Sequence, residues 1–436
     1  MISMWGKKTK LSTAVLAAGA MFGLSACGGG GDSESSGEPD AWVLNGGVWN
    51  VVEEDFAAWN EENPDQSFTV ESFANDIYKD RIRTAVGSGE APTLIVGWTG
   101  GGLLEYVEGD YVTDITEETE ELREGLIESV VANGEVDGST YAVPMNNVQP
   151  VMMYYNQEVF DEAGIEVPTT WDELLEAVEV FQEQGVHPFS LAGGSLWPML
   201  MWASYLTDRI GGPEAFEAVV AGEPDAWSHP AIIEAMERCQ ELVEAGAFDP
   251  GFASVVADNN EDAHLVADGL SAMVLQGSWV YSRLLEESPE FMETGNLGVT
   301  TFPEIEGGEG DPNSIVGNPA NFWSVSANAT EEEQQAGVDY LSEWLFNDDY
   351  VDGMLETGNI PPLKGLEDKI QDTEAPEFLS FAYDMVQEAP NFQLSWDQAV
   401  DPSQERPLLE NLGQIFAGDI TPEEFAENMN ETQPSE

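Results

Sequence analysis

The apolar positions of this chain follow two periods, one typical of strands and one typical of helices. Residues 42–44 form a short apolar run, and the apolar positions within residues 48–59 then recur at helical spacing. Residues 93–96 and 151–155 form longer apolar runs, and the first is typical of a strand buried on both faces of a parallel sheet. The alternation of strands and helices predicts an α/β architecture in which helices cover the sheets.

Several helix starts are marked by a threonine that is followed three residues later by a glutamate. This is the capping box, in which each of the two side chains bonds to a backbone amide of the other residue. The pattern occurs at three places: Thr170 with Glu173, Thr330 with Glu333, and Thr421 with Glu424. We therefore assign these glutamates to helix caps rather than to catalysis.

Residues 1–26 have the features of an export signal. Three lysines and no acid lie within residues 1–10, a small and apolar segment covers residues 11–24, and small residues precede Cys27. The apolar segment is shorter than the roughly 20 residues that a transmembrane helix requires, so we prefer a cleaved signal to a membrane span. Residues 24–27, Leu-Ser-Ala-Cys, resemble the lipobox of bacterial lipoproteins, which implies that Cys27 carries lipid and anchors the protein to the membrane.

A predicted flexible tether of residues 27–40 follows, because GGGGDSESSGEPD contains no apolar side chain to bury. The remaining part of the chain, about 400 residues, exceeds the size that one core usually serves, so we expect two domains. If Cys27 is acylated, Cys239 is the one cysteine left, which excludes an intrachain disulfide. We expect Cys239 to be a small buried hydrophobic side chain.

The chain is extremely acidic. It contains 13 lysines and arginines and 83 aspartates and glutamates, for a formal net charge of −70. Without the three lysines of the predicted signal, ten cations face 83 acids, which leaves a net charge of −73. Such a surface repels nucleic acid and anionic lipid headgroups, so we expect neither as a partner. The acids are dispersed through a chain that is 42% hydrophobic, which argues against disorder. The large excess of acids in a folded chain favours adaptation to a saline or alkaline exterior, where salt screens the repulsion among the acids.

Five segments carry a family resemblance through their order and spacing. They are DGSTYAVPMNNVQPVMMYYNQEVFDEAGIEVPTTWDEL (137–174), FDPGF (248–252), DGLSAMVLQGSW (268–279), GNIPP (358–362) and FQLSWDQA (392–399). Together they resemble the extracellular solute-binding proteins of carbohydrate ABC transporters (family 1 type), in particular the raffinose-, multiple-sugar- and xylobiose-binding lipoproteins. The chain departs from the family at Thr93, where aspartate usually follows Ala-Pro.

The resemblance implies a two-lobe α/β fold of the periplasmic-binding-protein type (type II), with a ligand cleft between the lobes. Lobe one would comprise residues 40–147 and 322–361, and lobe two residues 148–321 and 362–430. It also implies a monomeric binding protein without cofactor or catalytic activity. Such a protein captures a carbohydrate and delivers it to the permease subunits of an ABC importer, and it touches the membrane through the lipid anchor alone.

Tryptophans beside turn residues are candidates for the ligand site. Indole rings cover the apolar face of a pyranose, while amide and carboxylate groups bond to the hydroxyls at its rim. We select eight candidate contacts: Trp98, Asn147, Trp197, Trp279, Asn318, Trp323, Trp396 and Asp397. Core packing is the alternative for each tryptophan, and we prefer it for those on helical faces: Trp59, Trp171 and Trp344. Trp396 and Asp397 are the first choice, because the resembling sugar binders place a cleft contact in the segment FQLSWDQA.

Other chemistries have less support in the sequence. A surface-anchored glycosidase would need two carboxylates about 5–10 Å apart in a sugar cleft, and no motif singles out such a pair among 83 acids. The same fold with a cationic ligand such as a polyamine would place acids at the cleft, rather than tryptophan and asparagine. His187, His229 and His264 lack metal-ligand spacing, so zinc is not expected, while calcium stays open in so acidic a chain.

Two further clusters are assigned to ordinary structural roles. The glycine-rich residues 97–102 have no lysine after them, as a phosphate-binding loop would, so we expect a turn that lets a ligand approach. Lys79, Arg81 and Arg83 lie on one predicted helix. With so many acids in the chain, we expect them to form surface ion pairs.

Overall fold

Two sheets, each flanked by helices, organise the part of the chain that the structure describes. The computed structural model describes residues 38–433, so the predicted signal, Cys27 and most of the tether lie outside the described residues. None of the helices in the described part is both long enough and apolar enough to cross a membrane.

The described residues form strands and helices in alternation, as predicted. The strands are β1 (Asp40–Leu44), β2 (Thr69–Phe73), β3 (Leu94–Gly97), β4 (Glu135–Val136), β5 (Ser139–Thr140), β6 (Val143–Pro144), β7 (Gln149–Asn156), β8 (His187–Ser190), β9 (Ser271–Gly277), β10 (Leu297–Thr300), β11 (Ile315–Asn318), β12 (Phe322–Val325) and β13 (Phe392–Leu394). The helices are α1 (Val48–Glu62), α2 (Asn75–Ser88), α3 (Gly100–Glu108), α4 (Glu120–Glu124), α5 (Glu128–Val131), α6 (Gln157–Ala163), α7 (Trp171–Gln184), α8 (Pro198–Gly211), α9 (Glu214–Val220), α10 (Pro230–Glu244), α11 (Glu261–Ala267), α12 (Trp279–Glu287), α13 (Pro289–Glu293), α14 (Glu331–Asp339), α15 (Asp348–Glu356), α16 (Glu367–Gln371), α17 (Pro376–Glu388), α18 (Trp396–Ala399), α19 (Pro402–Ala417) and α20 (Pro422–Asn430).

The first sheet has the strand order β2-β1-β3-β12-β6. Strand β1 pairs parallel with β2 and β3, whereas β12 runs antiparallel to β3 and β6. Residues 94–96 of β3 are at most 1% exposed, which confirms the strand predicted to be buried on both faces. Helices α1, α2 and α15 supply much of the remaining core. We call this sheet and its helices lobe one.

The second sheet has the strand order β13-β11-β7-β9-β8, and β10 pairs antiparallel with β7. Strand β7 runs antiparallel to β9 and β11, while β8 is parallel to β9 and β11 is parallel to β13. Helices α7, α8, α10, α19 and α20 complete its core, in which Cys239 is fully buried as predicted. We call this sheet and its helices lobe two.

Chain crossings join the lobes between β6 and β7, between β11 and β12, and between α15 and α16. At the first two crossings, Asn146 Nδ2 and Gln149 Nε2 both donate to Asn321 Oδ1, at 3.0 and 2.7 Å. The amide N of Asn321 donates in turn to Asn146 Oδ1 at 2.9 Å. The predicted two-lobe α/β fold is therefore confirmed, while the exact lobe boundaries stay a prediction.

The three predicted capping boxes are all present, at the starts of α7, α14 and α20. In each box the threonine side chain accepts a bond from the glutamate amide, and the glutamate side chain accepts one from the threonine amide. Trp59 and Trp171 are buried in the cores of their lobes, as predicted. Trp344 is half-buried, and its Nε1 donates to Asp55 Oδ1 at 2.9 Å.

Candidate ligand-binding cleft

A cleft of about 1170 Å³, the solvent at its mouth included, lies between the lobes and is lined by both. Its tryptophans are Trp49, Trp98, Trp197 and Trp279. Its amides are Asn45, Asn75, Gln149, Asn260, Gln276, Asn318, Asn321 and Gln398, and its charged residues are Lys79, Asp258, Asp262, Arg283 and Asp397. Apolar walls with a limited set of placed polar groups are typical of small-molecule sites.

Trp197 and Trp279 form an aromatic pair on the lobe-two wall. Their ring centroids lie 6.0 Å apart, and their planes are tilted by 57°. Trp197 immediately precedes Pro198, which starts α8, and Trp279 is the first residue of α12. Both rings therefore stand where a helix begins at the edge of the lobe. They present apolar surface to the cleft.

Trp98 and Trp49 are the tryptophans that lobe one contributes. Trp98 follows β3, and its ring lies edge-on to Tyr78, with 5.9 Å between centroids. Trp49 was not among the sequence candidates, because it lies within a helix where an apolar side chain ordinarily predicts core packing. The signal that points to it is its place in the first turn of α1, a helix that begins directly after Gly46 and Gly47.

Asp397 bonds to both lobes at one side of the cleft. Its Oδ1 accepts from Ser395 Oγ at 2.7 Å, and its Oδ2 accepts from Gln398 Nε2 at 2.6 Å. Lys79 Nζ, from α2 of lobe one, lies 3.3 Å from Asp397 Oδ2 and 5.1 Å from the centroid of the Trp98 ring. Asp397 is therefore a carboxylate whose charge is already paired and which bridges the lobes.

Two asparagine side chains near the lobe crossing each have a polar atom without a hydrogen-bond partner among the described residues. Asn318 Oδ1 and Asn321 Nδ2 are both buried, and neither has a hydrogen-bond partner among the described residues. Leaving a buried polar atom unpaired costs free energy, so each atom is a place where a ligand group would bond. Asn146 and Gln149 hold the Asn321 side chain, and this fixes the direction of its Nδ2.

Two further acids face the cleft, and burial disfavours the charged form of both. Asp262 is buried and accepts from Gln276 Nε2 at 2.8 Å, and burial raises the pKa of its carboxyl above the ordinary value. The pKa of Asp258 is also raised, first by burial and then by the nearby charge of Asp76. Neither acid is an exposed, unpaired carboxylate of the kind that attracts a cationic solute.

Two predicted tryptophan contacts are corrected by the structure. Trp396 is fully buried in lobe two and stacks on Phe216, with 4.6 Å between ring centroids. Trp323 is fully buried in lobe one, where its ring lies 5.9 Å from that of Phe56. Both indoles belong to hydrophobic cores rather than to the cleft. Trp396 and Asp397 begin a short helix, in which neighbouring side chains point in different directions, so only the aspartate reaches the cleft.

Asn147 is also corrected, because it is fully buried at the lobe crossing and lies outside the cleft lining. Its Nδ2 donates to the carbonyl oxygen of Val148 at 3.3 Å. The other five candidates line the cleft together: Trp98, Trp197, Trp279, Asn318 and Asp397. Their contact with a ligand stays a prediction.

Two of the three basic residues of α2 form ion pairs, as predicted, but the pair made by Lys79 is largely buried rather than at the surface. Lys79 pairs with Asp397, and Arg83 pairs with Glu405 of α19. Arg81 lies instead over an aromatic ring, 4.7 Å from its centroid. Two of the three cations therefore reach across to lobe two.

The three histidines lie apart from one another. His187 Nε2 is 2.8 Å from Asp249 Oδ2, and His264 Nε2 is 3.0 Å from Glu287 Oε2. His229 Nδ1 accepts a backbone bond at the start of α10, at 3.2 Å. Within the described part of the chain, no group of three or more His, Cys, Asp or Glu side chains is placed to hold a metal ion.

Two α/β lobes with an aromatic, amide-lined cleft between them define a solute-binding protein. A family model described as bacterial extracellular solute-binding protein matches residues 56–379, more than half of the chain. The chain therefore belongs to the bacterial extracellular solute-binding protein family, whose members work outside the cytoplasm. This confirms the resemblance found in the sequence.

Individual relatives agree with this assignment. An uncharacterised ABC transporter extracellular-binding protein of Pyrococcus horikoshii is 27% identical over 201 residues, 45% of this chain and 44% of that protein. A xylose/arabinose-binding protein of Haloferax volcanii is 27% identical over 259 residues, 57% of this chain and 54% of that protein. The chain thus spans about half the length of these curated relatives. A structure solved in work on xylan utilisation by the thermophilic bacterium Caldanaerobius polysaccharolyticus has a TM-score of 0.81 and 26% identity, covering 90% of this chain and 99% of that chain.

Proposed function

We propose that this protein is an extracytoplasmic substrate-binding lipoprotein that captures a sugar, in particular an oligosaccharide, and delivers it to an ABC importer. The observation that carries the proposal is the cleft itself. It sets the Trp197–Trp279 pair on one lobe against Trp49 and Trp98 on the other. The relative named as a xylose/arabinose-binding protein and the structure from work on xylan utilisation support a carbohydrate as the ligand.

The chemistry of the cleft suits sugar rings. Indole faces cover the apolar C–H surface of a pyranose or furanose, while the unpaired Asn318 Oδ1 and Asn321 Nδ2 offer one acceptor and one donor to its hydroxyls. A ligand that touches both lobes binds the closed form better than the open form, so it shifts the population toward closure.

The two alternatives have less support. A polyamine would seek unpaired carboxylates, but Asp397 is paired with Lys79 and Asp262 accepts from Gln276. A glycosidase would require a general acid and a second carboxylate that flank a scissile bond. The known members of the family are binding proteins, and we propose that this chain likewise releases its sugar without changing it.

The remaining parts of the proposal concern location and partners. Cys27 would carry the lipid anchor, residues 28–40 would act as the tether, and the protein would work as a monomer with the permease subunits of the importer. The net charge of −70 would be an adaptation to a saline exterior, because screening weakens repulsion among the acids.

A thermal-shift screen in molar salt tests the proposal. The panel contains xylo-, arabino-, malto- and chito-oligosaccharides, the matching monosaccharides, and spermidine as the cationic alternative. A ligand of micromolar Kd at millimolar concentration stabilises the folded state by about 4 kcal/mol, which raises Tm by several degrees. We expect a rise with at least one oligosaccharide and none with spermidine. A rise with spermidine alone would contradict the carbohydrate assignment.

A further inference from the structure

Two helices of lobe one begin at the cleft without a capping side chain of their own. The N-cap of α1 is Gly47 and the N-cap of α2 is Ala74, and neither residue supplies a side-chain cap bond. The first amides of a helix have no partner within the helix, and the helix dipole places partial positive charge there. A helix start without a cap therefore has backbone amides that need a hydrogen-bond acceptor from elsewhere.

Lobe two supplies a carboxylate to each of these starts. Glu286 of α12 accepts from the Gly47 amide at 3.0 Å through Oε2 and from Asn50 Nδ2 at 3.3 Å through Oε1. Asp258 Oδ2 accepts from the amide of Asp76, the second residue of α2, at 3.2 Å. In both cases the cap comes from the opposite lobe, more than 180 residues away in sequence.

The chain around α1 is shaped for this close approach. Gly46 and Gly47 have φ values of +69° and +58°, in the left-handed region that favours glycine. A Cβ atom on Gly47 would lie 2.9 Å from Ser282 Oγ of lobe two, so a larger residue would force that side chain or the backbone to shift. Arg283 also crosses the gap, because its Nη2 donates to the carbonyl oxygen of Asn45.

We propose that Glu286 and Asp258 are positioning residues for ligand capture, because they cap α1 and α2 from the opposite lobe when the cleft is closed. Opening of the cleft removes both caps and leaves the two helix starts in water. The caps therefore favour the closed form and hold a bound ligand longer. The inference deepens the proposed function, since it concerns the same cleft, and it names residues that act through closure.

Glu286 gives the cleanest test because it is exposed and does not line the cleft. Glu286→Ala removes the α1 cap without removing a ligand contact. Glu290→Ala is the matched control, since Glu290 is an exposed acid on the neighbouring helix α13 and makes no bond to lobe one among the described residues. Loss of a helix cap changes an equilibrium by about two- to fivefold.

A second variant adds a cap to α2, whereas Glu286→Ala removes the cap of α1. Ala74 has φ −64° and ψ 147°, the extended conformation that a capping serine adopts. Ala74→Ser gives α2 a cap of its own, which is present in the open and the closed form alike. The contribution of Asp258 to closure then falls, while the free protein becomes more stable.

The experiment measures the ratio of closed to open molecules by single-molecule energy transfer. Dyes are attached through non-canonical amino acids at the exposed positions 54 of lobe one and 183 of lobe two. The ratio is recorded without ligand and with xylotriose, and the Tm of each free variant is measured beside it. We expect Glu286→Ala to lower the ratio about two- to fivefold with the free-protein Tm unchanged, and to speed release of bound sugar equally. Ala74→Ser should lower the ratio while raising Tm, and Glu290→Ala should change neither.

An unchanged ratio in Glu286→Ala would overturn the inference. So would an equal change in Glu290→Ala, or a wild-type protein with no closed population under either condition. A failure of the proposed function is distinguishable, because it would appear as a wild-type ratio that no carbohydrate alters. The comparison of variants without ligand does not depend on that result.

Discussion

Asp397→Asn tests whether the carboxylate at the lobe boundary contributes to capture. The substitution keeps the shape of the side chain, removes its charge, and replaces one acceptor oxygen with a donor. In the native protein Asp397 is 6% exposed, and its carboxylate receives bonds from Ser395, Gln398 and Lys79. At least one of these donors would face an amide NH₂ group instead of an oxygen.

The expected loss of ligand affinity in Asp397→Asn follows from which of these bonds depend on closure of the cleft. Ser395 and Gln398 lie in the same lobe as Asp397, so their bonds are present in the open and the closed form. Lys79 lies in lobe one, and its charge-assisted bond at 3.3 Å exists only when the lobes meet. Such a bond is worth about 1.5–3 kcal/mol when desolvated, and an exposed ion pair about 0.2–1 kcal/mol. The Lys79 side chain is 19% exposed, so we take an intermediate loss of about 1.4 kcal/mol, or tenfold in affinity.

Calorimetric titration in molar salt, with the oligosaccharide that binds the native protein, provides the assay. We expect Kd to rise about tenfold in Asp397→Asn, with little change in the Tm of the free protein. Asp419→Asn makes the same charge change at an exposed position and should leave Kd unaltered. In a double-mutant cycle, Lys79→Gln should cost much less in the Asp397→Asn background than in the native one. Native affinity in Asp397→Asn, or fully additive effects in the cycle, would refute the account of this residue.

Three further predictions follow from other parts of the chain. Cys27→Ala should release the protein from the membrane fraction, and retention with unchanged processing would contradict the lipoprotein assignment. Tm should fall when ionic strength drops from 1 M to about 0.01 M, because the Debye length grows from about 3 to 30 Å, and equal Tm values would refute the salt argument. Trp396→Ala should destabilise the free protein by about 3–5 kcal/mol, since this ring is fully buried against Phe216, whereas Trp197→Ala should lower affinity more than stability. Urea unfolding measures the stability of both variants, and titration with ligand measures their affinity. A Trp396→Ala protein of native stability with weakened binding would show that Trp396 belongs to the ligand site after all.

Local patterns in the sequence predicted the fold well. The buried run at residues 94–96 is a central strand, and the threonine–glutamate spacings are helix caps, because both signals depend on neighbouring residues alone. The family resemblance supplied the two-lobe arrangement, which periodicity cannot provide.

The cleft was predicted less completely, because closeness to a turn does not determine where a side chain points. Trp197 and Trp279 face the cleft, whereas Trp323 and Trp396, chosen by the same criterion, are buried in cores. The ion pair between Lys79 and Asp397 joins residues 318 positions apart, and no local signal indicates such a contact.

The most direct test of sugar capture is calorimetric titration of the native protein in molar salt with purified xylo- and arabino-oligosaccharides, followed by mass spectrometry of the recovered sugar. We expect saturable binding of one oligosaccharide per chain with a micromolar Kd or tighter, and recovery of the sugar with its mass unchanged. Absence of binding across the oligosaccharide panel, or recovery of shorter sugars with new reducing ends, would contradict the proposed function.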